Sequence, residues 1–198
     1  MKEHRVAITG LGAVTPIGVG VKDFWEGLKA GRNGIAQVTH FDVTDFRSKL
    51  AAEVKDFHAE RWIDEKSVRR MDRFTQFGLA ASAMAIEDAG LESFSFDQNR
   101  AGVIIGSGIG GSQTIEDGHS KLHKNGPKDL SPFLVSKLLV NMAACMVSIK
   151  YGLKGHLSAP SVACSTGSNA IGDAFRILQR GDADIMLAGS SEACITPL

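Results

Sequence analysis

The stretch His156-Leu157-Ser158-Ala159-Pro160-Ser161-Val162-Ala163-Cys164-Ser165-Thr166-Gly167-Ser168-Asn169-Ala170-Ile171 decides how this chain reads. Ser158 to Ala163 has the character of a buried strand. A cysteine follows, and then small residues open an amphipathic helix over Thr166 to Arg180, with Ala170, Ile171, Ala174, Phe175 and Leu178 inward and Gly181 as its stop. A thiol at that junction meets the backbone N–H groups of a helix N-terminus. Those groups favour the thiolate, the nucleophilic form of cysteine.

The same grammar repeats outward from this point. Ala183 to Ala188 is an apolar strand after the helix. Before it, Ser131-Pro132 suggests an N-cap and a proline at the first helical position, opening a helix to about Tyr151. Ala101 to Ile105 is a buried strand that runs into the glycine-rich turn Gly106 to Gly111, and Ser112 to Leu130 reads as a polar surface excursion. Val68 to Ala89 is the longest helical pattern, with Gly90 just past its end. Arg32 to Lys66 is mixed and polar, with a possible strand at Lys49 to Val54. Val21 to Ala30 reads as a helix and His4 to Thr9 as a first strand. Strands alternating with helices predict an α/β fold whose largely parallel sheet is covered by helices.

Composition narrows the function classes. Lys plus Arg balances Asp plus Glu at 22 each, which argues against bulk electrostatic binding to nucleic acid. No apolar run reaches the length of a membrane span, and Met1-Lys2-Glu3 leads into the first strand without a signal-peptide core. Cys145, Cys164 and Cys194 are odd in number and widely spaced. That speaks for a reducing cytoplasm rather than a disulfide framework or zinc knuckle. No metal or cofactor is expected.

Several motifs have bland readings. Gly106-Ser107-Gly108-Ile109-Gly110-Gly111 matches the GxGxxG spacing, but Gly111 leads into polar residues broken by Gly118. A dinucleotide site requires an apolar helix there and an acidic residue about 20 positions on. Tight turns at strand ends are the better account. His119 and His123 share a helix face at i and i+4 without a third ligand, so they read as a solvated pair. His156 is the histidine nearest Cys164 in sequence, but eight extended steps separate them by about 26 Å. Cys145 reads as a small core hydrophobe. Lys66, Arg69, Arg70 and Arg73 form a basic cluster that reads as a solvated face or a site for an anionic partner.

Taken together, Gly155, Pro160, Ala163-Cys164-Ser165-Thr166-Gly167 and Ile171 resemble the acyl-accepting cysteine segment of the β-ketoacyl-acyl-carrier-protein synthases, condensing enzymes on the thiolase fold. Val6 to Gly18 resembles the family's opening strand and turn, Gly106 to Gly111 its internal glycine loop, and Ser131-Pro132-Phe133 with Asn141-Met142 its interface helix. Type II synthases of fatty-acid elongation are the nearest match, with type I enzymes and polyketide ketosynthases as neighbours.

The resemblance implies that Cys164 attacks an acyl-carrier-protein thioester and holds the acyl group. Malonyl-carrier protein is then decarboxylated, and the carbanion condenses with the acyl-enzyme to give 3-oxoacyl-carrier protein. It implies that Ile109 borders the acyl pocket and Ala163 lines it, and that Phe133 and Leu134 approach the partner's pocket in a homodimer. Lys66, Arg69 and Arg70 would receive the acidic carrier protein. The family's two catalytic histidines and lysine belong to its second half. Residues 1–198 are accordingly expected to be an N-terminal half that leaves an apolar face uncovered. A non-catalytic half that docks carrier protein or dimerises is the alternative, and a dinucleotide-binding oxidoreductase is a more distant one.

Overall fold

The computed structural model describes residues 4–198, and Met1–Glu3 lie outside the described residues. In chain order the elements are β1 (Val14–Thr15), β2 (Gly18–Val19), α1 (Val21–Lys29), β3 (Ala36–Gln37), β4 (Leu50–Ala51), α2 (Glu65–Val68), α3 (Arg73–Asp88) and β5 (Ala101–Gly106). They are followed by α4 (Ser112–Asn125), α5 (Leu134–Leu138), α6 (Met142–Tyr151), β6 (Leu157–Ser158), α7 (Thr166–Arg180) and β7 (Ile185–Ser190).

The centre is a parallel sheet in the order β6-β5-β7. β5 is buried along its whole length. Its side chains alternate between two cores, as the period of two requires. Ala101, Val103 and Ile105 face α3 and α6, where Phe74, Leu79, Ala143, Ala144 and Val147 pack. Ile104 faces α7, where it meets Ala170, Ala174 and Ile177. β7 obeys the same rule, with Ile185 and Leu187 on the first face and Met186 and Ala188 on the second. This is the α/β arrangement expected from the alternation of strands and helices. At the far end of α7, Gly181 adopts φ +78°, a backbone that favours glycine, and Asp182 N–H returns to Ile177 O at 3.1 Å.

The structure departs from the sequence reading in five places. His4 to Thr9 is not a strand. The segment starts at the end of α7, where His4 N–H donates to Gln179 O at 2.9 Å, it borders a cleft of about 400 Å³ shared with Ala183 and Asp184 just before β7, and only beyond it do Gly10 and Gly12 lie against α3. A strand needs a neighbour roughly 5 Å away, and here the cleft intervenes. Ser112–Asn125 is a 14-residue helix rather than a surface excursion. Its polar composition hid it, because only Gly118 is buried.

The pattern from Val68 divides at Asp72, whose extended backbone and side-chain bond to Phe74 N–H begin α3 afresh. The helix expected from Ser131 to Tyr151 is two, because Leu139 is extended between α5 and α6. Ser131 still starts the first turn, its Oγ accepting from Phe133 N–H at 3.2 Å. The strand before Cys164 is short: only Leu157–Ser158 pairs with β5, and the next residues leave the sheet. Within the polar excursion, β4 pairs antiparallel with β3, which supports the strand read at Lys49 to Val54 in shortened form.

Candidate active site

Cys164 lies in a single 3-10 turn, Ala163–Ser165, that feeds directly into α7. The turn sits beyond the C-terminal end of the sheet. His156 lies just before the short strand β6, its carbonyl accepting from Val103 N–H at 2.8 Å.

Ala163 has φ +51° and is the only non-glycine residue with positive φ among those described. For an L-residue this costs about 1–2 kcal/mol, and it persists because neighbouring bonds over-determine it. Thr166, buried at the start of α7, supplies two of them: its Oγ1 accepts from Val162 N–H at 3.0 Å and donates to Ala163 O at 2.8 Å. Ser165 Oγ donates to Val162 O at 2.8 Å. Gly106 completes the support by having no side chain, since a Cβ there would lie 2.0 Å from Pro160 O. The result is a sharp elbow that presents an exposed thiol.

The glycine loop meets this elbow. Ser161 Oγ donates to Gly108 O at 3.1 Å, three residues ahead of the cysteine. From the other side Glu192, just past β7, accepts from Ser107 Oγ at 3.0 Å, Gly108 N–H at 2.7 Å and Ile109 N–H at 3.3 Å. Ser107 Oγ in turn accepts from Gly110 N–H at 2.9 Å, while Gly111 N–H goes to Leu138 O. The N–H groups that a dinucleotide phosphate would need are thus already bonded within the chain, which removes the physical basis for that reading.

Ala163 stands against Gly108, where a Cβ would lie 3.5 Å from the Ala163 Cα, and Ile109 and Cys164 are the next residues of the two segments. Cys194 joins the same rim: burial pushes its thiol up, and the charges of Glu192 and Cys164 push it further in the same direction. The roles of Thr166, Ser161 and Glu192 were missed in the sequence. The Ser-rich run flanking Cys164 was the visible signal for the first two. For Glu192 the only signal was an acidic residue closing an apolar strand.

The other candidates form a second group. Lys66 is exposed on α2, and Arg69 and Arg70 are exposed just after it. Arg69 pairs with Glu65, and the Arg70 guanidinium stands 4.8 Å over the Phe133 ring. Leu134 opens α5 and packs toward Gly118 of α4. Arg73 does not belong to this solvated face. It turns inward, donates to Val54 O at 2.7 Å, and lies over Phe57 and Phe77, and burial lowers its pKa. α5 links the groups, with its first turn beneath Arg70 and its last turn bonded to Gly111. His119 and His123 stack at 4.4 Å on α4, and the described residues contain no cluster of three metal-binding side chains. No helix among the described residues is long and apolar enough to cross a membrane.

A parallel sheet between helical layers, with a cysteine elbow at its C-terminal rim, defines an α/β protein of the thiolase-like ketosynthase class. The ishigamide ketosynthase/chain length factor superposes with a TM-score of 0.86 at 29% identity, over 96% of this chain and 48% of that one. A β-ketoacyl synthase from Burkholderia phymatum STM815 superposes with a TM-score of 0.79 at 33% identity, over 95% and 46%. The ketosynthase AntDE, solved with the type II acyl-carrier protein AntF, superposes with a TM-score of 0.81 at 27% identity, over 100% and 53%.

Residues 3–198 match the family model "Beta-ketoacyl synthase, N-terminal domain". The chain belongs to the β-ketoacyl synthase family. It is 46% identical over 198 residues to 3-oxoacyl-[acyl-carrier-protein] synthase 2 of Synechocystis and 49% identical over 195 residues to the enzyme of that name from Staphylococcus aureus strain COL. It spans 48% and 47% of their lengths, about half in each case.

Proposed function

We propose that this chain supplies the acyl-accepting part of a 3-oxoacyl-acyl-carrier-protein synthase of fatty-acid elongation. The observation that carries the reading is the strained elbow at Ala163, which holds the Cys164 thiol exposed at the start of α7. The Cys164 thiolate attacks the thioester carbonyl of acyl-carrier protein, and the tetrahedral intermediate expels the carrier thiolate, which takes up a proton. The acyl group is left on Cys164. The Cys164 backbone N–H serves as one oxyanion donor, the role the family resemblance gives it. Condensation follows when malonyl-carrier protein loses carbon dioxide and its carbanion attacks the acyl-enzyme, releasing Cys164 as thiolate. The two histidines and the lysine assigned to decarboxylation belong to the family's second half, and residues 1–198 contribute the acyl-transfer part of the reaction.

Ile109 and Ala163 border the acyl chain in this reading. Lys66, Arg69 and Arg70 receive the acidic carrier protein, with Phe133 and Leu134 beside them at a homodimer boundary. The Arg70–Phe133 contact favours treating these as one surface. The relative solved with its acyl-carrier protein makes such a partner reasonable for this chain, and a cytoplasmic setting suits three free cysteines.

The test is acylation followed by peptide mapping. An acyl thioester adds its acyl mass to Cys164 well before Cys145, which is half-buried in α6, and before Cys194, whose thiol pKa is raised. Equal labelling of the three overturns the assignment of Cys164. Lys66→Glu with Arg69→Glu weakens carrier-protein binding and flattens its salt dependence. Unchanged binding removes the docking patch.

A further inference from the structure

We propose that Glu192 is a positioning residue for acyl transfer, holding the Gly108–Ile109 peptide against the Cys164 elbow. The inference rests on the acyl-transfer reading above and deepens it. It starts from an imbalance in the loop after β5. Gly108, Ile109 and Gly110 point consecutive N–H groups into one concavity, which makes a nest for an anion. The anion there is the chain's own: Glu192 Oε2 takes Gly108 N–H at 2.7 Å and Ile109 N–H at 3.3 Å, and Oε1 takes the hydroxyl of buried Ser107 at 3.0 Å. Its base is fixed by the preceding residue, because Ser191 N–H bonds Gly106 O at 3.0 Å and its hydroxyl bonds Phe74 O.

Gly108 is therefore gripped on both sides. Its N–H is held by Glu192 and its C=O by Ser161 of the elbow. A Cβ at Gly108 would meet Glu192 Oε2 at 2.8 Å and Ala163 Cα at 3.5 Å, so the glycine is the spacer between carboxylate and elbow. Ile109 follows directly, exposed at the rim and placed by its own bond to Glu192. The Ile109 N–H itself is held by this one carboxylate, while Ser161 holds the Gly108 carbonyl and the elbow is held by Thr166 and Ser165. Glu192 thus governs how a long apolar chain lies beside the thiol and leaves the reactivity of the thiol to the elbow.

Two thiol reagents separate these roles on the 198-residue chain. Iodoacetamide reports the reactivity of Cys164, and N-decyl-iodoacetamide also reports the apolar surface beside it. The readout is the ratio of their second-order rate constants at Cys164, followed by peptide mapping. Glu192→Ala is expected to lower the decyl-to-plain ratio at least tenfold with iodoacetamide alone changed less than twofold. Glu192→Gln, which keeps an accepting oxygen, restores most of the ratio and serves if the alanine variant does not fold. An unchanged ratio in both variants, or an equal fall with both reagents, overturns the proposal. Acylation of the parent by a decanoyl thioester is measured in parallel. Its absence sinks the acyl-transfer reading, while the alkylation ratio still decides what Glu192 does.

Discussion

Asp72 and Glu192 bind backbone in the same way in opposite surroundings. Asp72 is 4% exposed and accepts from Phe74 N–H at 3.3 Å, Thr114 N–H at 3.2 Å and the Thr114 hydroxyl at 2.6 Å. One buried carboxylate thereby serves the first turns of α3 and α4. Glu192 accepts from two N–H groups and a hydroxyl as well, but at an exposed rim. When a buried carboxylate is removed, its donors are stranded away from water. At the rim, water replaces much of what is lost. The same hydrogen bonds therefore contribute mainly to stability in one place and mainly to position in the other.

The contrast breaks most visibly by truncation. Asp72→Ala removes a helix cap worth about 1 kcal/mol and leaves a second helix's N–H and hydroxyl unpaired, for a total loss near 3 kcal/mol. Glu192→Ala is expected to cost less than about 1 kcal/mol. Urea unfolding of both variants measures the difference, and equal losses would show that the rim is as dry as the interior. Thr166→Val sharpens the comparison from the elbow's side. The swap keeps the shape but unpairs Val162 N–H and leaves Ala163 O with the Thr166 N–H alone, which costs about 1–2 kcal/mol and slows alkylation of Cys164 by both reagents equally. A change in their ratio would instead assign Thr166 to the pocket.

Much of the architecture was legible because it follows from local rules. β5 and β7 show as apolar runs ending in glycine, and Ala170, Ala174 and Leu178 mark the inner face of α7 as read, whereas Ile171 and Phe175, read as inward, are exposed and Ile177 packs inward in their place. The cysteine elbow was visible as small residues between strand and helix. What escaped depends on tertiary placement. α4 is too polar to announce itself, and its start is held by Asp72, forty-two residues away from Thr114. His4 to Thr9 looks like a strand from composition, but β pairing depends on what lies beside it. Glu192 reaches residues 83 to 85 positions distant, and no spacing rule connects such a pair.

Glu53 extends the comparison to a carboxylate with a measurable pH signature. It is buried, which pushes its pKa up. The Thr39 N–H and hydroxyl, the His40 N–H and the nearby His40 outweigh this and hold it below the ordinary value of 4.5. A folded pKa below the unfolded one gives stability that is fully present above the unfolded value and is lost as pH falls through the folded one. Urea midpoints followed downward from about pH 6 should fall through the carboxylate range, and Glu53→Gln should flatten part of that fall. A slope identical to the parent's would place the acid sensitivity in other carboxylates.

The smallest expected effect is at Ala163, and it bears most directly on the elbow. Glycine accepts φ +51° without strain, so Ala163→Gly relieves about 1 kcal/mol in the folded chain. It also loosens the unfolded chain, a cost of about 0.4–1 kcal/mol in the opposite direction. The two nearly cancel, and unfolding should stay close to that of the parent. Alkylation of Cys164 by iodoacetamide should persist too, because Thr166 and Ser165 hold the turn through Val162 and the Ala163 carbonyl, not through the methyl group. A loss well beyond this near-balance would mean that the Ala163 methyl bears on the Gly108 loop. The grip of Glu192 on that loop would then be sharing the support of the elbow, and the separation between reactivity and position would fail at its closest point.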